Sequence, residues 1–346
     1  MTCAQAFDSP PPEAQPLVVA GHSAWMPAAK SASPVEAFDR KIPIPSYWIG
    51  LYGGVLGAQD LRLRFAGNLN GPRVLALGGI SAGRFVADEG RGDPGWWGAV
   101  ARRGGGIDLD RYCVIGFDYP SASEAVDLCP EDYADLAAYA LKEAGVGFVD
   151  AIVGASFGGM IGLAFARKFP DRIGRLCTIS AADRPHPMAQ AWRLVQRRII
   201  DFAAEKGAPE AGVALARELA MTTYRTPEEF AVRFSSDLAA DDNVGSYLTA
   251  RGGAYAREVS AARYATLSAA IDRHDEKPEA IKTPALVIGV DSDRLVPLCD
   301  IEGLQRRLGG PSTLEVIASP YGHDAFLKES DAINTHLKSF LRQEPS

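Results

Sequence analysis

Apolar and polar positions follow two patterns along the chain, and the first is a series of short apolar runs separated by helical segments. The runs RVLALGGI (73–80), YCVIGFDYP (112–120) and IGRLCTISAA (173–182) are nearly continuous in apolar residues. Such runs predict buried parallel strands. The segment PEDYADLAAYALKEAGV (130–146) instead has the spacing of a helix. Strands that alternate with helices predict an α/β fold with a mostly parallel sheet covered on both faces.

The second pattern is helical throughout and extends from about residue 186 to residue 275, with no strand-like run inside it. The run TPALVIGVDSDRLVP (283–297) then restores the buried-strand pattern, and GGPSTLEVIASPYGHDAFL (309–327) supplies another strand and a loop. We therefore predict an α/β core that is interrupted by a helical insertion, or lid.

These patterns divide the chain into a core at 41–185 and 276–346, a lid at 186–275 and an N-terminal arm at 1–40. Proline and alanine are frequent in the arm, which we expect to be flexible. It lacks the charged and apolar regions of a signal peptide. No run of about 18 apolar residues predicts a membrane span.

Composition narrows the classes of partner. The chain has 346 residues, 47% of them hydrophobic and 23% charged, and a net charge of −7. This acidic balance argues against nucleic acid, which needs a basic face. The odd number of cysteines and the lack of a C-x-x-C pair predict reduced thiols in a cytoplasmic protein, with no disulfide frame and no metal site. The five are Cys3, Cys113, Cys129, Cys177 and Cys299.

The segment VDAIVGASFGGMIGLAFARKFP (149–170) places Ser156 in a G-x-S-x-G pattern, between an apolar strand and a helix. This is the context of a nucleophile elbow, in which a tight turn lifts the serine Oγ clear of the sheet. Taken alone the pattern is weak, because a glycine-rich turn with an incidental serine fits it almost as well.

A serine nucleophile needs a histidine base that is held by a carboxylate, in the chain order serine, acid, histidine. Of the five histidines, His323 alone follows the late strands in a loop. Asp291 and Asp293 both follow the strand ALVIGV, and we favour Asp293 because it lies further into the loop. The oxyanion would need two N–H donors, for which we predict Phe157 and either Ile80 or Ser81.

Several motifs together resemble the homoserine O-acyltransferases, a family with the α/β-hydrolase fold. The motifs are GASFGGM, VQRRI, ALARELAMTTYRTPEEFAVRF, SYLTARG, VIGVDSDRLVP and SPYGHDAFL, and the resemblance covers about residues 73–340. It implies transfer of an acyl group from acyl-CoA to the hydroxyl of L-homoserine in methionine biosynthesis. Ser156 would carry the acyl group, acyl-CoA would be a substrate and no cofactor would be bound.

The resemblance also implies that Arg217 and Asp324 bind the carboxylate and amine of homoserine, and that a homodimer forms through the lid. Separately, the loop GGISAGRFVA places Arg84 near the expected acyl pocket. Arg84 could pair with the free carboxylate of a succinyl group, which favours succinyl-CoA over acetyl-CoA, or it could be a solvated loop residue.

Two other functions fit parts of the pattern. A hydrolase would use the same serine, acid and histidine but pass the acyl group to water. A non-catalytic binding protein of this fold would be expected to lack one of the three. Because all three candidates are present, we favour the acyltransferase.

Overall fold

Ten short strands form the sheets of the computed structural model, which describes residues 35–234 and 243–342. In chain order they are β1 (Ala37–Pro43), β2 (Asp60–Gly67), β3 (Arg73–Leu77), β4 (Ala101–Arg102), β5 (Ile107–Asp108), β6 (Cys113–Phe117), β7 (Ala151–Ala155), β8 (Leu176–Ile179), β9 (Ala285–Val290) and β10 (Ser312–Ile317). β4 and β5 pair only with each other, and the other eight strands form the central sheet.

The central sheet has the strand order β1-β2-β6-β3-β7-β8-β9-β10. β1 pairs antiparallel with β2, and β2 pairs antiparallel with β6. Every pair from β6 to β10 is parallel. The middle strands β6, β7, β8 and β9 are buried along their whole length, as expected for parallel strands covered on both faces. The predicted mostly parallel sheet is confirmed.

Ten helices cover this sheet or extend from it in the described ranges. They are α1 (Pro130–Glu143), α2 (Phe157–Lys168), α3 (Pro187–Glu205), α4 (Pro209–Tyr224), α5 (Pro227–Arg233), α6 (Val244–Ala256), α7 (Ala261–Asp272), α8 (Leu298–Arg307), α9 (Ala325–Lys328) and α10 (Ser330–Arg342). α1, α2 and α8 contribute to one hydrophobic core, and α10 contributes to a second. Alternate residues of β3 enter the two cores, so the cores lie on opposite faces of the sheet.

Helices α3 to α7 all lie between β8 and β9, within the range predicted for the lid. α3 and α7 are tied together because Arg193 and Arg197 both pair with Asp272, each at 2.7 Å. Tyr264 on α7 also donates its hydroxyl to Gln196 on α3 at 2.8 Å. Among the residues that the structure describes, no helix is both long and apolar enough to cross a bilayer.

The N-terminal boundary differs from the prediction. Residues 1–34 of the predicted arm lie outside the described residues, but residues 37–40 are not an arm, because they belong to β1. Phe38 stacks on Phe65 of β2 with ring centroids 4.9 Å apart. The charged residues of β1 suit an edge strand, where they discourage pairing with another sheet, and they hide the apolar alternation that would predict a strand.

Candidate active site

Ser156 lies at a sharp turn between β7 and α2. Its backbone has φ of 53° and ψ of −120°, a conformation that residues other than glycine rarely adopt. The flanking glycines permit the turn by close approach of backbones. A Cβ on Gly154 would lie 2.3 Å from the carbonyl oxygen of Gly158, and one on Gly158 would lie 2.3 Å from that of Leu77. The strand, turn and helix of a nucleophile elbow are therefore all present.

The structure brings Ser156, His323 and Asp293 into one hydrogen-bonded chain. His323 Nε2 is 2.8 Å from Ser156 Oγ, and His323 Nδ1 is 2.7 Å from Asp293 Oδ2. Asp293 Oδ1 accepts two backbone N–H groups, from Leu295 at 2.8 Å and Val296 at 3.0 Å. The carboxylate is thus fixed on both oxygens, which orients the imidazole toward the serine.

Asp291, the other candidate acid, has a different contact. Its Oδ1 accepts the backbone N–H of Ser319 at 3.1 Å. It therefore holds the loop after β10 beside the end of β9 and does not reach the histidine. Of the two acids left open by the sequence, the geometry favours Asp293.

The environment of His323 changes its basicity. Burial is the largest single effect and favours the neutral ring, but the neighbouring carboxylates of Asp293 and Asp324 outweigh it, so the pKa of His323 is raised above 6.5. A raised pKa stabilises the imidazolium that forms when the ring takes a proton from serine.

Three other histidines lie in the described residues, and each has a local role. His186 Nδ1 accepts the N–H of Met188 at the start of α3. His274 is buried against the Ala182 carbonyl oxygen at 3.0 Å, and burial lowers the pKa of His274 to about 4. His336 lies 3.7 Å from Glu315. His22 lies outside the described residues.

The N-terminus of α2 and the loop after β3 meet beside Ser156. The Gly158 N–H donates to the Gly78 carbonyl oxygen at 2.9 Å, which joins the two segments. In the described residues, the backbone N–H groups of Phe157, Ile80 and Ser81 have no acceptor. They are available to an oxyanion, and the choice between Ile80 and Ser81 stays a prediction.

A cavity of about 190 Å³ opens on Ser156 and His323, between the core and the lid. Its walls are largely aromatic and aliphatic. They include Trp96, Met160, Trp192, Tyr264, Leu295 and Phe326. Its charged lining residues are Arg193, Arg217 and Asp324. A mostly apolar cavity with a few charged groups is typical of a site for a small substrate.

Both residues that the resemblance implies for homoserine line this cavity. The Arg217 guanidinium stacks on the rings of Tyr224 and Tyr255, at 5.3 and 4.6 Å, and has no hydrogen bond or ion pair with the described residues. Asp324 lies next to His323, with Oδ2 3.4 Å from Arg225 Nε. Among residues 35–234 and 243–342, the site therefore presents a cation without an anion and a partly paired carboxylate.

Arg193 is a cavity residue that the sequence analysis missed. Its Nε donates to Asp272 at 2.7 Å, while its buried Nη2 has no partner in the described residues. Its positive charge works against the rise in the pKa of His323, so it lies close to the reacting groups. The helical spacing of α3 could not show which of its arginines faces inward, because that depends on how α3 packs on α7.

The predicted role of Arg84 is wrong, because its side chain does not line the cavity. Arg84 Nη1 pairs with Asp118 at 2.6 Å, and its Nε lies 3.5 Å from Asp39. Its guanidinium also covers the Phe85 ring at 4.2 Å. Two carboxylates therefore already satisfy the charge that was expected to bind a succinyl group.

Comparisons with known proteins agree with this geometry. A family model described as the alpha/beta hydrolase fold matches residues 94–330. The homoserine O-succinyltransferase of Xanthomonas campestris pv. campestris is 36% identical over 343 residues, which cover 95% of this chain and 90% of that protein. The chain belongs to the homoserine O-acyltransferase family, within the α/β-hydrolase fold.

Other members and the solved structures refine the picture of this family. The homoserine O-acetyltransferase of Thermus thermophilus is 31% identical over 282 residues, with 72% of this chain and 73% of that protein covered. The crystal structure of homoserine O-acetyltransferase from Staphylococcus aureus has a TM-score of 0.78 at 20% identity, and the match covers 89% of this chain and 96% of that one. Both acyl groups therefore occur among the names of the relatives.

The fold alone does not separate transfer from hydrolysis. The crystal structure of esterase E22 has a TM-score of 0.76 at 18% identity, covering 89% of this chain and all of that one. The distinction must come from the side chains that face the cavity.

Proposed function

We propose that the protein transfers an acyl group from acyl-CoA to the side-chain hydroxyl of L-homoserine through an acyl-Ser156 intermediate, as a step of methionine biosynthesis. One observation carries the choice of acceptor. Arg217, which has no anionic partner in the part of the chain that the structure describes, and the carboxylate of Asp324 line the same cavity as Ser156. An α-amino acid carries the complementary pair of charges, a carboxylate and an ammonium.

In the first half of the reaction, Ser156 Oγ attacks the thioester carbonyl while His323 Nε2 takes its proton. The N–H groups of Phe157 and of Ile80 or Ser81 stabilise the negative oxygen of the tetrahedral intermediate. When the C–S bond breaks, the imidazolium returns the proton to the sulfur and CoA leaves as the thiol. Asp293 stabilises the imidazolium throughout.

In the second half, the hydroxyl of homoserine attacks the acyl-serine carbonyl. His323 takes the hydroxyl proton and then returns it to Ser156 Oγ as the ester bond to serine breaks. The products are O-acyl-homoserine and free enzyme. Arg217 and Asp324 hold the two charged groups of homoserine, so that its hydroxyl is directed to the acyl carbon.

For the donor we propose succinyl-CoA. A succinyl group ends in a carboxylate, which needs a cation in the cavity. Because Arg217 is assigned to the carboxylate of homoserine, the partly unpaired guanidinium of Arg193 is the cavity cation that remains for the succinyl carboxylate. An acetyl group would leave the buried Nη2 of Arg193 without a hydrogen-bond acceptor among the described residues. In this proposal, Arg193 of the lid pairs with the succinyl carboxylate, which is the role that was expected of Arg84.

Transfer to water is the second candidate, and the esterase-like fold allows it. The lid argues for homoserine, because a largely apolar, covered cavity disfavours free water and its charges fit an amino acid.

Two further proposals accompany this function. Met188, Val195 and Phe202 are exposed at intervals of seven residues along α3, a spacing that supports a homodimer formed through the lid. The four cysteines that the structure describes are unpaired, which supports a cytoplasmic location.

Incubation with L-homoserine and either succinyl-CoA or acetyl-CoA tests the proposal. CoA release and the mass of the product are followed together. We expect CoA release that depends on homoserine, with O-succinyl-homoserine formed faster than O-acetyl-homoserine. CoA release at the same rate without homoserine would identify a hydrolase, and faster acetyl transfer would reject succinyl-CoA as the preferred donor.

A further inference from the structure

The turn between α4 and α5 in the lid packs directly on the loop that carries His323 and Asp324. Thr226 Oγ1 donates to the Pro320 carbonyl oxygen at 2.5 Å. Gly322 has a φ of 58°, and a Cβ at this position would lie 2.7 Å from the Tyr224 carbonyl oxygen. The two segments therefore meet with no room for a side chain between their backbones, so the lid turn sets the position of this loop.

Arg225 lies in this contact, between two carboxylates. Its side chain is only 6% exposed. It donates through Nη1 to Glu229, and its Nε, which has no hydrogen bond in the described residues, is 3.4 Å from Asp324 Oδ2. The Tyr247 ring covers the guanidinium at 5.6 Å. Glu229 thus anchors a buried cation next to a carboxylate that lines the cavity.

This arrangement suits a carboxylate that must bind an ammonium group. A carboxylate in an enclosed site without a cation tends to turn toward solvent. The charge of Arg225, 3.4 Å from Asp324 Oδ2, opposes this movement. Because its contact with Asp324 is not a hydrogen bond, it leaves the carboxylate oxygens available as acceptors.

We propose that Arg225 is a positioning residue that keeps the Asp324 carboxylate directed into the cavity for the ammonium group of the acceptor. This inference rests on the proposed function, since it assumes that the acceptor is an amino acid. It assigns to the lid a second task besides covering the cavity, because the lid turn also orders half of the acceptor site.

The variant Arg225→Met removes the charge while keeping much of the side-chain length. We expect the KM for homoserine to rise about tenfold or more, because a buried charge loses its partner. The rate of the first CoA release from acyl-CoA alone, measured in a single turnover, is expected to stay within about twofold, since no homoserine ammonium group is bound in that step. Arg225→Lys keeps the charge and should restore part of the homoserine KM.

Arg233→Met is the matched control. Arg233 lies on α5, stacks on the same Tyr247 ring at 4.4 Å and has no carboxylate partner in the described residues. We expect it to leave both measurements unchanged. If Arg225→Met does not fold, Glu229→Gln replaces it, because it removes the anchor of Arg225 at nearly constant volume, and the homoserine KM should then rise about threefold.

An unchanged homoserine KM in the folded Arg225 variant, or in Glu229→Gln, overturns the inference. The inference is also overturned if the rate of CoA release falls by the same factor by which the homoserine KM rises, since that outcome indicates a merely structural role. The wild-type protein separates the two proposals. If its CoA release does not depend on homoserine, the proposed function itself fails, whereas a homoserine-dependent wild type with an unaffected variant rejects only the role of Arg225.

Discussion

The core and the lid contribute side chains to the same cavity, but their hydrogen-bonding states are opposite. In the core, Ser156, His323 and Asp293 are already bonded to one another at 2.7–2.8 Å, and Asp293 accepts two backbone N–H groups as well. In the lid, Arg217 has no anion in the described residues, and Arg193 is bonded through only one of its nitrogens.

This difference separates two tasks. Buried polar groups are normally paired, because leaving them unpaired costs stability. The chain of Ser156, His323 and Asp293 satisfies this rule before any substrate arrives, so its chemistry does not depend on which acyl group or acceptor is bound. In the lid, Arg217 and the Nη2 of Arg193 lack partners among the described residues, and we propose that bound substrates complete them and are selected by charge.

Among the variants that test the role of the core, Ser156→Ala is expected to have the largest effect on activity. Loss of the proposed nucleophile is expected to lower kcat by about 10⁵-fold, measured as CoA release with homoserine present. Stability should hardly change, because within the described part of the chain the Oγ makes a single hydrogen bond, to His323. Melting temperature and circular dichroism check the fold. Substantial remaining transfer by a folded variant would contradict the acyl-serine mechanism.

Asp293→Asn keeps the shape of the core site but removes the charge that faces His323. We expect kcat to fall by about 10³- to 10⁴-fold, because the amide no longer stabilises the imidazolium and can favour the wrong tautomer. Asp291→Asn is the matched control, since Asp291 bonds Ser319 and not the histidine. Equal losses in the two variants would refute the assignment of the acid.

The pH dependence of the wild-type protein tests the same pair. His323 must be neutral to take the serine proton, and its pKa is raised above 6.5 by the carboxylates that face it. Activity should therefore be lost as pH falls through this raised pKa, at a higher pH than for an ordinary histidine. The measurement is kcat/KM for the acyl donor against pH, and an acid limb below 6.5 would contradict the assigned environment.

The core was more predictable from the sequence than the lid, and the reason is physical. Parallel strands end at one edge of the sheet, so a serine after β7, an acid after β9 and a histidine after β10 are brought together by topology alone. Arg193 lies on α3 with other arginines, one of which, Arg197, shares its partner Asp272, so only the tertiary packing of α3 decides that Arg193 lines the cavity. Arg84 follows β3, but the carboxylates of Asp39 and Asp118 draw it elsewhere, and the pairing of β1 that brings Asp39 close was not predicted.

Arg193→Leu tests the lid side by removing the cation assigned to the acyl carboxylate. The ratio of kcat/KM for succinyl-CoA to that for acetyl-CoA should fall by about 30-fold or more, because a charged hydrogen-bonding partner of a buried carboxylate is lost. The acetyl-CoA reaction serves as the internal control for folding. A fall in both reactions by the same factor would contradict a role in acyl selection.

Arg84→Met should have the smallest effect. It tests whether a residue that is close to the oxyanion donors in sequence, but does not face the cavity, influences the acyl preference. Arg84 follows the loop of the oxyanion donors, yet its charge is paired with Asp118 at 2.6 Å and does not face the cavity. We expect the ratio of succinyl to acetyl transfer to stay within about twofold, while the lost charged hydrogen bond lowers the free energy of unfolding by about 1–3 kcal/mol. Urea unfolding measures the second quantity. If Arg84→Met changed the acyl preference as much as Arg193→Leu does, selection by charge would not reside in the lid, and the division of tasks between the two regions would fail.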